Sequence, residues 1–240
     1  MRKSRKATAA EPPTSLALPP ANLPAKLLVA THNKGKVREY REILAGLPLE
    51  VTWLDAEGIT LEVEETGATF AENAILKAST YATLSGLLTW ADDSGLCVDA
   101  LGGKPGVYSA RYGAAGLDDR GRYELLIHEL RSVPPMERTA HFQCTVALAL
   151  PNGPVYTVEG QLHGRILHQP RGNHGFGYDP VFFVTDEGMA LAEIPPARKN
   201  QVSHRAVASR LAHDLLARLL AGEEIASAPD AGPGPSAQSD

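Results

Sequence analysis

From residue 26 onward the apolar positions alternate between short continuous runs and helical stripes. Residues 26–31 (KLLVAT) form an apolar run that ends at a polar turn, the pattern of a buried strand. Residues 33–47 place Val37, Tyr40, Ile43, Leu44 and Leu47 on one helical face, and Pro48 stops the helix. Residues 49–54 read as a second strand. Residues 69–84 predict a helix opened by Thr69-Phe70-Ala71-Glu72, a capping box, and closed by Gly86. Residues 87–91 and 96–100 read as two further strands. A helix over 118–131 turns Tyr123, Leu126, Ile127 and Leu130 inward before Pro134-Pro135. Two long strands, 139–150 and 155–167, flank the turn Pro151-Asn152-Gly153-Pro154 and predict an antiparallel hairpin. A short strand at 181–184 and a helix capped by Ser203 and running to about residue 221 complete the series. Early interleaving of helices with strands, followed by a hairpin, predicts an α/β protein with a mixed sheet.

The two ends lack this patterning. Residues 1–25 hold five of the 18 prolines and a basic start (Arg2, Lys3, Arg5, Lys6), and residues 223–240 are small, polar and rich in Pro and Gly. Neither can bury enough apolar surface to offset ordering entropy, so both read as disordered tails around a domain at 26–222. The basic start has no apolar stretch of the kind a secretory signal needs. With 23 Lys and Arg against 28 Asp and Glu, the net charge of −5 excludes a protein that holds nucleic acid mainly by neutralising phosphates. No apolar stretch is long enough to span a membrane. Two cysteines exclude a disulfide-stapled scaffold and a four-cysteine zinc site. Neither HExxH nor GxSxG occurs.

Candidate chemistry gathers in five segments. Thr31-His32-Asn33-Lys34-Gly35-Lys36 stands where a strand becomes a helix, and the free N–H groups and two lysines there suit phosphate; a plain polar helix start is the competing reading. Glu64-Glu65-Thr66-Gly67 precedes a helix on which Asn73 and Lys77 share a face, against the reading of a solvated acidic loop. Asp92-Asp93-Ser94-Gly95 follows an apolar run, where carboxylates are costly unless paired or holding a hard cation such as Mg²⁺; simple turn chemistry is the alternative. Gly172 to Pro180 (GNHGFGYDP) sets Phe176 and Tyr178 in a glycine-rich loop, where an aromatic can stack on a base or fold into the core. Lys199 to Arg205 (KNQVSHR) clusters donors at the start of the last helix, or is an ordinary capped start.

Together these segments supply a phosphate cradle, hard-metal acids, an aromatic face and donors for a base edge. ATHNKGKVREY, EETGATFAENAILKA, ADDSGLCVDALGGKPGVYSARY, GFGYDPVFF and KNQVSHRAVA, in that order, closely resemble the blocks of the Ham1-like inosine triphosphate pyrophosphatases. The resemblance runs from residue 28 to about 220. It implies an elongated α/β fold with a mixed sheet and a nucleotide cleft between two lobes. It implies hydrolysis of ITP, dITP and XTP to the monophosphate and pyrophosphate, with Mg²⁺, by a cytoplasmic homodimer that binds neither nucleic acid nor membrane. By the same resemblance, Thr31, His32, Asn33, Lys34, Gly35 and Lys36 bind the triphosphate, and Glu64 and Asp93 hold the metal. Asp93 is the proton acceptor and Ser94 an adjoining contact. Phe176, Gly177, Tyr178 and Asp179 bind the base, and Lys199, His204 and Arg205 recognise it. Lys77, Glu65 and Asp92 are supporting positions. Pro195-Pro196-Ala197-Arg198 depart from the acidic residues usual before the lysine. Rival readings are a non-catalytic nucleotide sensor, a Maf-like pyrophosphatase of modified pyrimidines, and a nucleic-acid binder using the basic end.

Overall fold

The computed structural model describes residues 16–17 and 25–228. In chain order the elements are β1 (Leu16–Ala17), β2 (Lys26–Val29), α1 (Lys34–Ile43), β3 (Glu50–Trp53), α2 (Phe70–Ser85), β4 (Leu88–Val98), α3 (Asp119–Glu129), β5 (Thr139–Ala149), β6 (Val155–Ile166), β7 (Phe182–Val184), β8 (Met189–Ala190), α4 (Pro196–Val202), α5 (His204–Leu220) and β9 (Ile225–Ala226). Among the described residues, seven strands form one sheet in the order β3-β2-β4-β5-β6-β7-β8. β3, β2 and β4 run parallel, and every later pair is antiparallel. The mixed sheet and the β5–β6 hairpin match the pattern read from the sequence.

Local signals set the helix ends. The Asn33 side chain accepts from the N–H groups of Gly35 and Lys36, starting α1. Thr69 Oγ1 accepts from Glu72 N at 3.1 Å, and the Glu72 carboxylate accepts from Ala68 N at 2.6 Å, one residue before the cap. Gly86 ends α2 at φ 68°, a left-handed position that glycine adopts without a Cβ penalty. Ser203 accepts from Ala206 N and opens α5. The short α4 in front of it was not legible in the sequence.

β4 corrects one expectation. The two strands read at 87–91 and 96–100 are a single strand, with Asp92 to Gly95 in its middle and not in a turn after its end. The reason is its partner: β5 pairs with it without a break from Thr89↔Ala149 to Val98↔Ala140. On its other side β2 reaches only Leu88 to Trp90. Among the described residues no strand lies beside that edge from Ala91 onward, and Lys104 and Pro105 meet it only near Val98.

Two buried clusters divide the molecule into lobes. One gathers Leu27, Val29, Tyr40, Trp90, Leu148 and Leu216 between the sheet, α1 and α5. The other gathers Leu96, Leu126, Leu130, Phe142, Phe182 and Leu191 around α3 and the far end of the sheet. On the opposite face, α2 sets Ala74, Ala78 and Ala82 against Ala91, Ala147 and Ala149, small residues that let helix and sheet approach closely. Burying each large apolar side chain contributes roughly 1.5–3 kcal/mol. In the second lobe the guanidinium of Arg138, fully buried, donates to the carbonyls of Leu130 (2.6 Å), Val133 (3.0 Å) and Leu167 (3.4 Å). It thereby closes the C-terminal end of α3.

Parts of the chain ends are described. β1 and β9 pair antiparallel, Leu16 with Ala226 and Ala17 with Ile225, inside segments read as tails. Beyond α5 the chain returns to the sheet: Ile225 packs on the first cluster, and Ala228 N donates to Val155 O at 2.7 Å. The remainder of the tail reading, at 1–15, 18–24 and 229–240, lies outside the described residues.

Candidate active site

A cleft of about 640 Å³ opens between the lobes, a volume suited to a small-molecule ligand. Its lining includes Lys36 and Glu39 of α1, Ser94 of β4, Asp119 and Arg122 of α3, the loop at 174–179, Lys199 of α4, and His204 and Arg205 of α5.

The freed edge of β4 organises one wall. Three of the backbone groups that would pair with a neighbouring strand are met by side chains instead. The Asp92 carbonyl accepts from Lys77 Nζ at 2.7 Å, Ser94 N donates to Asp93 Oδ1 at 2.8 Å, and Leu96 N donates to Ser109 Oγ at 2.9 Å. Because strand side chains alternate, Asp92 and Asp93 face opposite sides of the sheet. Asp92, 5% exposed, accepts from Lys36 Nζ at 2.9 and 3.1 Å, and Arg205 Nε lies 3.9 Å away. Burial alone would raise its carboxyl, but Lys36, Arg205 and Lys77 outweigh this and hold it well below the usual carboxylate range. Asp93 faces α2, where Asn73 Nδ2 donates to Oδ2 at 2.9 Å; Asn73 is fixed in turn by Gly67 N at 2.7 Å. Burial pushes Asp93 up, against Lys77 and Asn73, and the charge of Glu65 adds to the rise. Lys77 pairs with Glu65 and, despite burial, is raised by Asp92, Asp93 and Glu65.

The facing wall is the glycine-rich loop. Asp179, 4% exposed, pairs with Lys199 and accepts from Phe176 N at 2.9 Å. Burial raises its carboxyl, opposed by Lys199. Gly175 sits at φ 80°, and a Cβ there would stand 2.0 Å from Asp179 Oδ2, so the loop closes on this carboxylate only with glycine. Phe176 is left 62% exposed, with Lys199 Nζ 5.0 Å and the Arg205 guanidinium 5.8 Å from its ring centre. Gly177 N donates to Asp119 at 2.7 Å, tying the loop to α3.

His204 and Arg205 are carried by α5, which lies against β6 at Gly160. A Cβ on Gly160 would stand 2.3 Å from Ala208 N and 2.4 Å from His204 O. The His204 ring stacks on Phe142, centroids 4.7 Å apart at 10°, and its Nδ1 has no hydrogen-bond partner among the described residues. Burial, with Arg205 and Lys199 nearby, lowers its pKa far below the usual value, so the imidazole is neutral.

Of the residues expected from the sequence, the structure brings Asn33, Gly35, Lys36, Ser94, Phe176, Gly177, Asp179, Lys199, His204 and Arg205 onto the cleft. Thr31 instead accepts from Asn33 N at 3.1 Å and shapes the turn. His32 pairs with Asp55, and Lys34 lines a neighbouring hollow with Arg41 and Trp53. Tyr178 borders the cleft, but its ring belongs to the second core and its hydroxyl donates to Ser109 O at 2.9 Å, so it anchors the loop and is no free stacking face. Glu64 is exposed, and the glutamate whose charge reaches Asp93 is Glu65. Arg198, at the departure from the family pattern, pairs with Glu187 at 2.7 Å outside the cleft. Sequence reading missed Gly160, Asp119 and Arg122. An isolated glycine inside a strand pattern is the one signal that pointed to a close backbone approach.

Fold and site together define a two-lobed α/β protein whose cleft suits a polyanion that also carries an aromatic ring. The particular family follows from comparison: a Ham1 family profile matches residues 27–214, and the chain belongs to that family. It is 54% identical over 191 residues to a dITP/XTP pyrophosphatase of Geobacter sulfurreducens, covering 80% of this chain and 96% of the relative. It is 47% identical over 189 residues to a dITP/XTP pyrophosphatase of Bacillus subtilis, covering 79% and 96%. A HAM1 protein structure from Coxiella burnetii superposes with a TM-score of 0.77 at 36% identity, over 80% of this chain and 98% of that one. No helix among the described residues is long and apolar enough to cross a membrane.

Proposed function

We propose that the protein hydrolyses non-standard purine nucleoside triphosphates (ITP, dITP and XTP) to the monophosphate and pyrophosphate. The observation that carries this reading is the convergence of Lys36, Ser94, Phe176, Lys199, His204 and Arg205, far apart in sequence, on one cleft. The triphosphate lies toward the α1 N-terminus, where Gly35 and Lys36 stand at the positive end of the helix dipole. The base stacks on Phe176. Arg205 and the neutral His204 donate to O6 of hypoxanthine or xanthine, which adenine replaces with an amine. A site built on such bonds can reject the mismatched base by about 10⁴–10⁵.

The donor set near Asp93 fits Mg²⁺. Asp93 and Glu65 offer hard carboxylate oxygens, and Mg²⁺ binds through one or two carboxylates plus substrate phosphates. Among the described residues no group of three or more His, Cys, Asp and Glu converges on one metal position, so substrate and water oxygens would supply the remaining ligands. When bound, Mg²⁺ neutralises charge on the phosphate oxygens. Asp93 accepts the proton of the attacking water through a carboxylate oxygen. The water oxygen bonds to the α-phosphorus as the bond to the α–β bridging oxygen breaks, and the electron pair leaves with pyrophosphate. Lys77 and Asn73 hold Asp93 in place. A homodimer working in the cytoplasm follows from the family resemblance.

Pyrophosphate release measured with Mg²⁺ across ITP, dITP, XTP, ATP, GTP and modified pyrimidine triphosphates tests the reading. Release confined to the first three is expected, with Asp93→Asn lowering kcat by about 10³ or more while the substrate still binds. Equal turnover of ATP and ITP, or binding without release, overturns it.

A further inference from the structure

The sheet face under α2 is covered only in part. Toward the Thr139 end of β5 the residues on this face are polar: Thr139, His141 and Gln143 stand opposite Arg165, His163 and Gln161. His141 and His163 stand there directly opposite one another on the two strands. Their ring centroids are 5.6 Å apart and the planes tilt by 39°. His163 is exposed and His141 half-exposed.

That separation is close to the one two imidazoles adopt on a shared metal ion. With an ion about 2.1 Å from each coordinating nitrogen, two imidazoles on one tetrahedral centre have ring centres about 5 Å apart. Opening the angle modestly brings this to the observed distance. The hairpin holds both Cα positions in register over eleven residue pairs, from Thr139↔Arg165 to Ala149↔Val155, so the pair is preorganised by the sheet. Among the described residues neither imidazole has a hydrogen-bond partner, and the neighbouring groups bond elsewhere. Gln143 and Gln161 bond to Glu159, at 2.7 Å in each case. Thr139 bonds to Asp99 at 2.6 Å, and Arg165 lies over Phe183. Cys97 sits opposite His141 on the β4 side, but among the described residues no third His, Cys, Asp or Glu converges with the pair on one metal position.

We infer that His141 and His163 form a cross-strand chelate for one divalent first-row transition ion (Zn²⁺, Ni²⁺ or Cu²⁺), with water in the remaining positions. Neutral imidazole selects these ions over Mg²⁺, so this site is chemically separate from the carboxylates near Asp93. The ion staples β5 to β6 and stabilises the folded chain in proportion to its occupancy.

Calorimetric titration of the full chain with NiCl₂, and separately with ZnCl₂, tests this. One equivalent is expected to bind to the wild type. His141→Gln and His163→Gln are each expected to weaken it by about tenfold or more, because a chelate becomes a single ligand. In Cu²⁺-loaded protein, electron spin resonance should show two imidazole nitrogens, reduced to one in each variant. His213→Gln, on the outer side of α5, should change nothing. Unaltered circular dichroism and Mg²⁺-dependent turnover in the variants establish that they fold. Retention of the same stoichiometry and affinity in the His141→Gln/His163→Gln double variant overturns the inference.

Discussion

Asp92→Asn isolates the part of the site that is electrostatic scaffolding. The wild-type carboxylate is buried, receives two contacts from Lys36 at 2.9 and 3.1 Å, and lies 3.9 Å from the buried Arg205. Removing one member of a buried ion pair costs about 3–5 kcal/mol, because its partner keeps an uncompensated charge. Two features of the structure reduce that figure. The Lys36 side chain is 27% exposed and can turn toward water, and an amide oxygen at position 92 still accepts one hydrogen bond. A loss of about 2–3 kcal/mol at pH 7 follows. Urea unfolding followed by circular dichroism reads it as a midpoint lowered by roughly 1 M.

The pH dependence gives a second, independent check. The folded-state pKa of Asp92 is depressed, so its contribution is fully present above the unfolded value near 4 and is lost as pH falls below it. The stability gap between wild type and Asp92→Asn should therefore be constant from pH 7 to 5 and shrink below about pH 4. A loss under about 0.5 kcal/mol at pH 7, or an equal gap at pH 3 and pH 7, would refute the assignment of Asp92 as the charge that holds Lys36 and Arg205.

Other positions separate binding from folding. Phe176→Ala removes a ring that is already 62% exposed, so unfolding should change by less than about 0.5 kcal/mol. KM for ITP should rise about tenfold or more through lost stacking, and an unchanged KM would remove Phe176 from the base site. Gly160→Ala places a methyl 2.3 Å from Ala208 N, forcing α5 off β6. It should cost about 1–3 kcal/mol in a thermal melt and also weaken ITP binding, because His204 and Arg205 move with the helix; a loss of stability with binding intact would contradict the coupling. Arg138→Ala removes a fully buried side chain and its hydrogen bonds to the carbonyls of Leu130, Val133 and Leu167. About 3 kcal/mol should be lost in urea, with kcat/KM measured on the remaining folded protein unchanged.

Much of the site was legible before any coordinates because its chemistry lies in contiguous blocks. Asn33-Lys34-Gly35-Lys36, Asp92-Asp93-Ser94, Phe176 to Asp179, and His204-Arg205 each carry their own local signal: a cap, paired acids, glycines around an aromatic, donors at a helix start. What failed was the direction each side chain takes. Tyr178 and Phe176 are two residues apart in one loop, yet one ring is buried in the core and the other stands free. Glu64 and Glu65 read alike, and only Glu65 reaches Lys77 and Asp93. Lys34 and Lys36 read alike too, and only Lys36 meets Asp92. Adjacent or alternating positions diverge because a single φ/ψ choice swings a side chain to another face, and that choice is made by neighbours distant in sequence.

The sequence by itself determined most of the elements, the mixed character of the sheet, the hairpin and the family, because periodicity, caps and turns are properties of nearby residues. Only the tertiary structure decided that β4 is one strand, that β2 reaches no further along its edge than Trp90, and that Asp92 and Asp93 face opposite sides of it. It also decided that Gly160 admits α5. The physical reason is the same in each case. Whether a backbone edge is paired, and whether a Cβ has room, depends on which strand or helix arrives beside it. Here those partners are β5, up to 60 residues further along the chain, and a helix that begins 44 residues after the glycine it covers.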